Sequence, residues 1–330
     1  MFKKLLTAAA ALAVFAGAAK AEMPDQLNFG IISTESSSAL QSSFQPFLDD
    51  MAKALGVTVK PFFASDYAGV IEGMRFKKVD VAWFGNKSAI QAVDRAGGEV
   101  FAQTIKDDGS KGYHSLLITQ KDNDLNSLED VLKCDKTKTF GNGDPNSTSG
   151  FAIPGYYVWA LNNKTPEDCF KRVTSSNHEG NALAVANGKV DLATNNTESI
   201  YARLAVNNPK AFANVKEIWR SPLIPSDPIV WRKDLPQDVK EKIYFFFMQY
   251  GRFGDMEKVK HERDVLAGVS DGWGPFLASS NAQLLDVRQI EAFKAKLKAE
   301  RAGDKDAIAE AEALLKSLAE QAAVVGQSGY

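Results

Sequence analysis

The chain is poor in the residues that build metal and redox centres. Its 330 residues include two cysteines and three histidines. His114, His178 and His261 are scattered, and with Cys134 and Cys169 they form no ligand spacing, so neither a metal site nor a cofactor is expected. An excess of basic charge is also lacking. Lys and Arg total 39 against 41 Asp and Glu, and without the first 21 residues, which hold three Lys and no acid, the balance is 36 against 41. That mild acidity argues against a nucleic-acid partner. No Gly-Lys-Ser/Thr ending marks a P-loop. Gly141 and Gly143 lack the third glycine of G-x-G-x-x-G, because Asn146 stands there. No nucleophile elbow and no metal cluster is read, so the chain is not expected to be an enzyme.

A long apolar run is lacking beyond the N-terminus. Lys3 and Lys4 precede an apolar stretch over 5–18, and Ala19-Lys20-Ala21 fits an A-x-A cleavage site. Residues 1–21 are therefore expected to be a secretory signal peptide; a membrane anchor would need about 20 apolar residues. No Cys follows the cleavage site, so no lipid anchor is expected. A soluble, exported, periplasmic product follows. In that oxidising setting Cys134 and Cys169 are candidates for a disulfide closing a loop worth about 4 kcal/mol, with two buried free thiols as the alternative.

What the chain does have is concentrated in Gly141-Asn142-Gly143-Asp144-Pro145-Asn146-Ser147-Thr148-Ser149-Gly150. A turn rich in Gly, Asn and Asp runs into three hydroxyl residues and then an apolar segment over 151–161. This reads as a strand end, a loop and a helix start. Helix N-termini present unpaired N–H groups and a positive dipole end, which suit an anion. Ser and Thr are also the preferred N-caps of any helix, so the loop alone does not decide.

Short apolar runs alternate with helical patterns. Strands are predicted at 27–32, 57–63, 79–84, 100–104, 115–119, 137–141, 171–175, 190–194, 215–219 and 228–231. Phe44, Phe47, Leu48, Met51 and Leu55 share one helical face, and Ser65-Asp66 opens another helix with Tyr67 in its first turn. Such alternation implies an α/β chain with mostly parallel sheets. Two helices are predicted near 281–298 and 304–325. In the second, Ile308, Ala311, Leu315, Leu318, Ala322 and Val325 repeat at coiled-coil spacing, which suits either packing within the chain or a homodimer.

These residues resemble the phosphonate-binding proteins of bacterial phosphonate ABC importers, over nearly the whole mature chain. The resemblance is carried by the segments 27–35, Asp66-Tyr67-Ala68-Gly69, Gly73-Met74-Arg75-Phe76 and 79–86, and by the loop just described. It continues through 181–187, 193–198 and Ser221-Pro222-Leu223-Ile224-Pro225. It implies a two-lobed type II periplasmic binding protein fold with two crossover strands, expected near 117–121 and 226–230, and a C-terminal helical appendage on the first lobe. Lobe 1 would comprise 22–119 and 228–280, lobe 2 would comprise 120–227, and 281–330 would form the appendage. Membrane permease subunits are the implied partners.

The resemblance also implies site residues. Ser147, Thr148, Ser149, Tyr67 and His178 match positions that receive a phosphonate. Tyr113, Glu198 and Asp227 match those facing the ligand's amino end. Two carboxylates beside a phosphonate suit a ligand that also carries a cation, so 2-aminoethylphosphonate is the expected ligand. The alternatives are another small oxyanion (phosphite, phosphate or sulfonate) or, in a different class, a periplasmic hydrolase of phosphate or phosphonate esters.

Overall fold

The computed structural model describes residues 23–269 and 272–327. The signal-peptide reading of residues 1–21 lies outside them. None of the described helices is long and apolar enough to cross a membrane.

Thirteen strands are present among the described residues. They are β1 Gln26–Ile31, β2 Thr58–Phe62, β3 Val81–Trp83, β4 Gly98–Lys106, β5 Gly112–Tyr113, β6 Ser115–Gln120, β7 Thr139–Asn142, β8 Arg172–Ser175, β9 Leu192–Asn196, β10 Val215–Arg220, β11 Ile224–Pro225, β12 Pro228–Arg232 and β13 Trp273–Ala278. One sheet has the order β13-β4-β12-β3-β1-β2 and the other β10-β6-β9-β7-β8. Helices cover both, giving two α/β lobes.

The sheets are mixed rather than mostly parallel. The parallel pairs β1–β2, β1–β3, β7–β8 and β7–β9 make one half of each sheet. The rest is antiparallel: β12 and β6 enter their sheets from the other lobe and so run in reverse, and β13, which follows two helices of its own lobe, also runs against β4.

The passages between lobes also differ from expectation. β5 and β11 form a two-stranded antiparallel ribbon between the sheets, pairing Tyr113 with Ile224 and Gly112 with Pro225. β6, expected from sequence at the first crossover, lies inside the second sheet, and β12 inside the first. Both passages thus come a few residues earlier in the chain than expected.

The first core is aromatic. The helix Ser37–Leu55 buries Phe44, Phe47, Leu48 and Met51, is capped by Ser36, and ends at Gly56 in the left-handed region (φ 68°). Phe44 stacks on Trp83 with ring centroids 5.5 Å apart, and Phe47 meets Phe247 and Phe276 edge-on or tilted. Residues from both ends of the chain therefore share one core. The second lobe is smaller, with Phe140 stacked on Phe170 and flanked by Trp159. Cys134 and Cys169 are joined as a disulfide beside this cluster.

The C-terminal helices Leu285–Ala302 and Lys305–Gln327 pack as a hairpin. Leu315, Leu318, Ala322 and Val325 lie against Leu285 and Ala292, which accounts for the heptad-like pattern without a second copy. The first of these helices is not an appendage of one lobe. Arg288–Asp94 (2.6 Å) and Lys87–Glu291 (2.8 Å) tie it to the first lobe. Arg301–Asp168 (3.1 Å), and Lys294 over the Phe151 ring (5.6 Å), tie it to the second.

Candidate functional site

Five helix starts converge between the lobes. Tyr67 begins the helix Tyr67–Arg75, and Gly85 caps Asn86–Arg95. Thr148 begins a helical run over 148–162, His178 begins His178–Ala186, and Glu198 begins Glu198–Leu204. Three of these starts follow β7, β8 and β9 and two follow β2 and β3, so the cleft lies at the carboxyl ends of strands, where open α/β sheets place ligands. Each start contributes N–H groups and the positive end of a dipole.

The Gly-rich loop folds for a reason its sequence only partly discloses. Gly143 and Gly150 pack backbone on backbone: Gly143 N–H donates to Gly150 O (3.0 Å), and a Cβ on Gly143 would sit 2.6 Å from Gly150. Asp144 Oδ1 accepts from Asn146 N–H (2.7 Å), closing the turn. Ser147 caps the helix by accepting from Gly150 N–H (3.0 Å). The first turn is wide, with Ala152 N–H donating to Ser147 O, five residues back. Ser147, Thr148 and Ser149 are all buried.

His178 stands over this cradle. Its Nε2 is 3.5 Å from both Ser147 Oγ and Ser149 Oγ, and 3.3 Å from Asn196 Nδ2. Burial, with help from the Arg203 guanidinium, pushes its pKa down to about 3. His178 is therefore neutral, and brings no positive charge to the closed cleft. Nε2 thus faces two hydroxyls and the Asn196 amide, while Nδ1 is buried without a hydrogen-bond partner among the described residues. Asn196 Nδ2 is also 3.2 Å from Ser149 Oγ.

Asp227 is buried in the same cleft, and two neutral side chains donate to it. Trp83 Nε1–H donates to Oδ2 (3.1 Å) and Tyr113 O–H to Oδ1 (3.0 Å). Burial, then the Asp227 and Glu198 charges, hold the Tyr113 phenol well above its ordinary range. Tyr67 is raised in the same way, by burial and then by Asp144 and Asp227.

A cavity of about 10 Å³ lies at the centre. Tyr67, Tyr113, Ser147, Thr148, Ser149, His178, Glu198 and Asp227 all line it. The structure thus brings together all eight residues singled out from sequence. It adds Ile32, Thr34, Trp83, Gly85, Asn196 and Arg203. Trp83, Gly85 and Asn196 lie inside segments that carried the resemblance, and Arg203 has no such signal.

Bonds between lobes close the cleft. Lys87 N–H donates to Thr148 Oγ1 (2.9 Å), and Tyr67 N–H to Asp144 Oδ2 (3.2 Å). Among the described residues no group of three or more His, Cys, Asp or Glu is placed to hold a metal. One correction concerns the elbow pattern: Gly268-Val269-Ser270-Asp271-Gly272 does match the letters of G-x-S-x-G. It follows the helix Met256–Gly268 and precedes β13, the reverse of the strand–turn–helix order an elbow requires.

A family model described as "ABC transporter, phosphonate, periplasmic substrate-binding protein" matches residues 29–284. A phosphonates-binding periplasmic protein of Escherichia coli (strain K12) is 57% identical over 273 residues, covering 83% of this chain and 78% of that protein. The crystal structure of a binding protein component of an ABC phosphonate transporter from Pseudomonas aeruginosa is 49% identical, with a TM-score of 0.85 over 92% of this chain and 99% of that one. A Prochlorococcus marinus protein solved in complex with methylphosphonate shares the two-lobed fold at 24% identity, with a TM-score of 0.69 over 81% and 97% of the two chains.

Proposed function

This chain belongs to the phosphonate-binding periplasmic components of ABC transporters, and on that premise we propose that its cleft captures 2-aminoethylphosphonate and presents it to membrane permease subunits. The observation that carries the reading is the polarity of the cleft. Hydroxyl donors and helix starts, the carboxylates of Asp227 and Glu198, and the Arg203 guanidinium all line one small cavity. In this reading the phosphonate oxygens accept from Ser147, Thr148, Ser149 and Tyr67, and from the leading N–H groups of the 148–162 run. Charge-assisted bonds of this kind are roughly twice as strong as neutral ones.

His178 takes part through Nε2, which must then carry the proton. Trp83 and Tyr113 are neutral donors that hold Asp227 in place, and in this reading its carboxylate, with that of Glu198, faces the ammonium group. Tyr67 and Tyr113 come from the first lobe and the ribbon, and the hydroxyl cradle from the second. A ligand touching all of them favours the closed form.

Calorimetric titration with 2-aminoethylphosphonate and ethylphosphonate tests the assignment. Tighter binding of the amine is expected, and equal affinities would remove Asp227 and Glu198 from the role. A second reading, a smaller oxyanion such as phosphite or methylphosphonate, is favoured by the small central cavity of about 10 Å³. The same titration with those ligands separates the two.

A further inference from the structure

The mouth of the cleft carries contacts that the proposed ligand does not need. Thr34, Glu35 and Ser36 follow β1 in the first lobe and meet the second lobe at two points. Arg203 Nη1 is 2.7 Å from Glu35 Oε1, with side chains only 9% and 11% exposed. The same Nη1 lies 3.4 Å from Thr34 Oγ1. Beside this pair, Ser36 N–H donates to Glu179 Oε2 (2.8 Å) and Glu179 N–H to Thr34 O (3.3 Å).

The placement of Arg203 gives these contacts a consequence. Arg203 lines the small inner cavity with Tyr67 and His178. It also lines an outer groove of about 760 Å³, with Glu35, Ser43, Glu179 and Asn207. The ion pair therefore stands between the ligand chamber and the surface. It joins residues of different lobes, so it exists only when the lobes meet. Removing one partner of an ion pair that forms only across the closed lobes weakens the closed state, and such pairs act mainly on dissociation.

We infer that Glu35 and Arg203, seconded by Glu179 and the Ser36 N–H, form a latch across the cleft mouth that sets how long a captured ligand stays. Glu35 is a positioning residue here. It acts through the closed state and touches no ligand.

The test uses the full mature chain, stopped-flow tryptophan fluorescence and two probes, 2-aminoethylphosphonate and methylphosphonate. Trp83 in the cleft wall is the reporter. Glu35→Gln is expected to speed dissociation about tenfold for both probes and to leave association within about twofold. Glu179→Ala, a second variant at the other contact point, is expected to speed dissociation in the same direction. In an Arg203→Gln background, Glu35→Gln should add nothing further.

Unchanged dissociation in both Glu35→Gln and Glu179→Ala overturns the latch. So does an effect confined to association, or one that differs more than about threefold between probes, since that would make Glu35 a ligand contact. Should 2-aminoethylphosphonate fail to bind, the ligand assignment fails, and the methylphosphonate arm still tests the latch.

Discussion

Replacing Asp227 by Asn separates a ligand-binding carboxylate from a structural one. The bonds it accepts from Trp83 Nε1 at 3.1 Å and Tyr113 O–H at 3.0 Å can survive the change. The Asn oxygen takes the indole N–H, and the Tyr113 hydroxyl rotates to accept from the new amide. Shape and these two bonds are kept while the charge is lost. An ammonium about 4 Å from a carboxylate gains about 4 kcal/mol at an effective dielectric of about 20. Desolvating the ammonium takes back part of this, leaving about 2–3 kcal/mol, or about 30- to 150-fold in Kd.

Ethylphosphonate has no ammonium and should bind the variant as well as or better than the parent, because a buried negative charge near its phosphonate has gone. Isothermal calorimetry with both ligands measures the two effects in one preparation. An equal loss for both ligands would refute the reasoning, since it would make Asp227 a scaffold residue.

Three further outcomes follow from the same geometry. Thr148→Val removes the hydroxyl that accepts from Lys87 N–H at 2.9 Å, and should weaken every phosphonate by about tenfold in calorimetry, without changing their order. His178 has a folded pKa of about 3 against about 6.5 when unfolded, so the unfolded chain binds the extra proton between these values and stability falls as pH drops through that window. The loss should reach about 2 kcal/mol by pH 5 in denaturant melts of the ligand-free protein, and His178→Gln should flatten that slope. Replacing Cys134 and Cys169 together by Ser opens a loop with a sequence separation of 35, and should lower stability by about 4 kcal/mol, seen as a reduced Tm in calorimetry without reductant.

Much of the fold was legible because apolar runs bounded by turns mark strands well. All ten strands predicted from sequence appear, within a few residues. β13 was missed because Gly274 and Pro275 interrupt it, and its pairing slips between Gly274 and Leu277. The ribbon strands β5 and β11 were missed because two residues carry no periodicity, so the crossovers were placed too late. Strand direction was misjudged because local sequence says nothing about which lobe the chain comes from.

The site was legible through the resemblance more than through local chemistry. The hydroxyl run and Tyr67 announce helix starts, but nothing local announces that five starts meet. Asn196 was hidden in a segment that carried the resemblance, and its link to His178 is made only by folding. Arg203 was unreadable because its partner, Glu35, is supplied by the other lobe.

The helix Leu285–Ala302 has a mechanical consequence that its contacts imply. Ile290 packs near Tyr113 and Ile224, on the ribbon where the chain passes between lobes. In a hinged rotation, displacement grows with distance from the axis. Contacts beside the ribbon shift little as the lobes part, whereas Glu35 and Arg203 at the mouth travel furthest. The helix Leu285–Ala302 can therefore grip both lobes throughout the swing and act as a bearing.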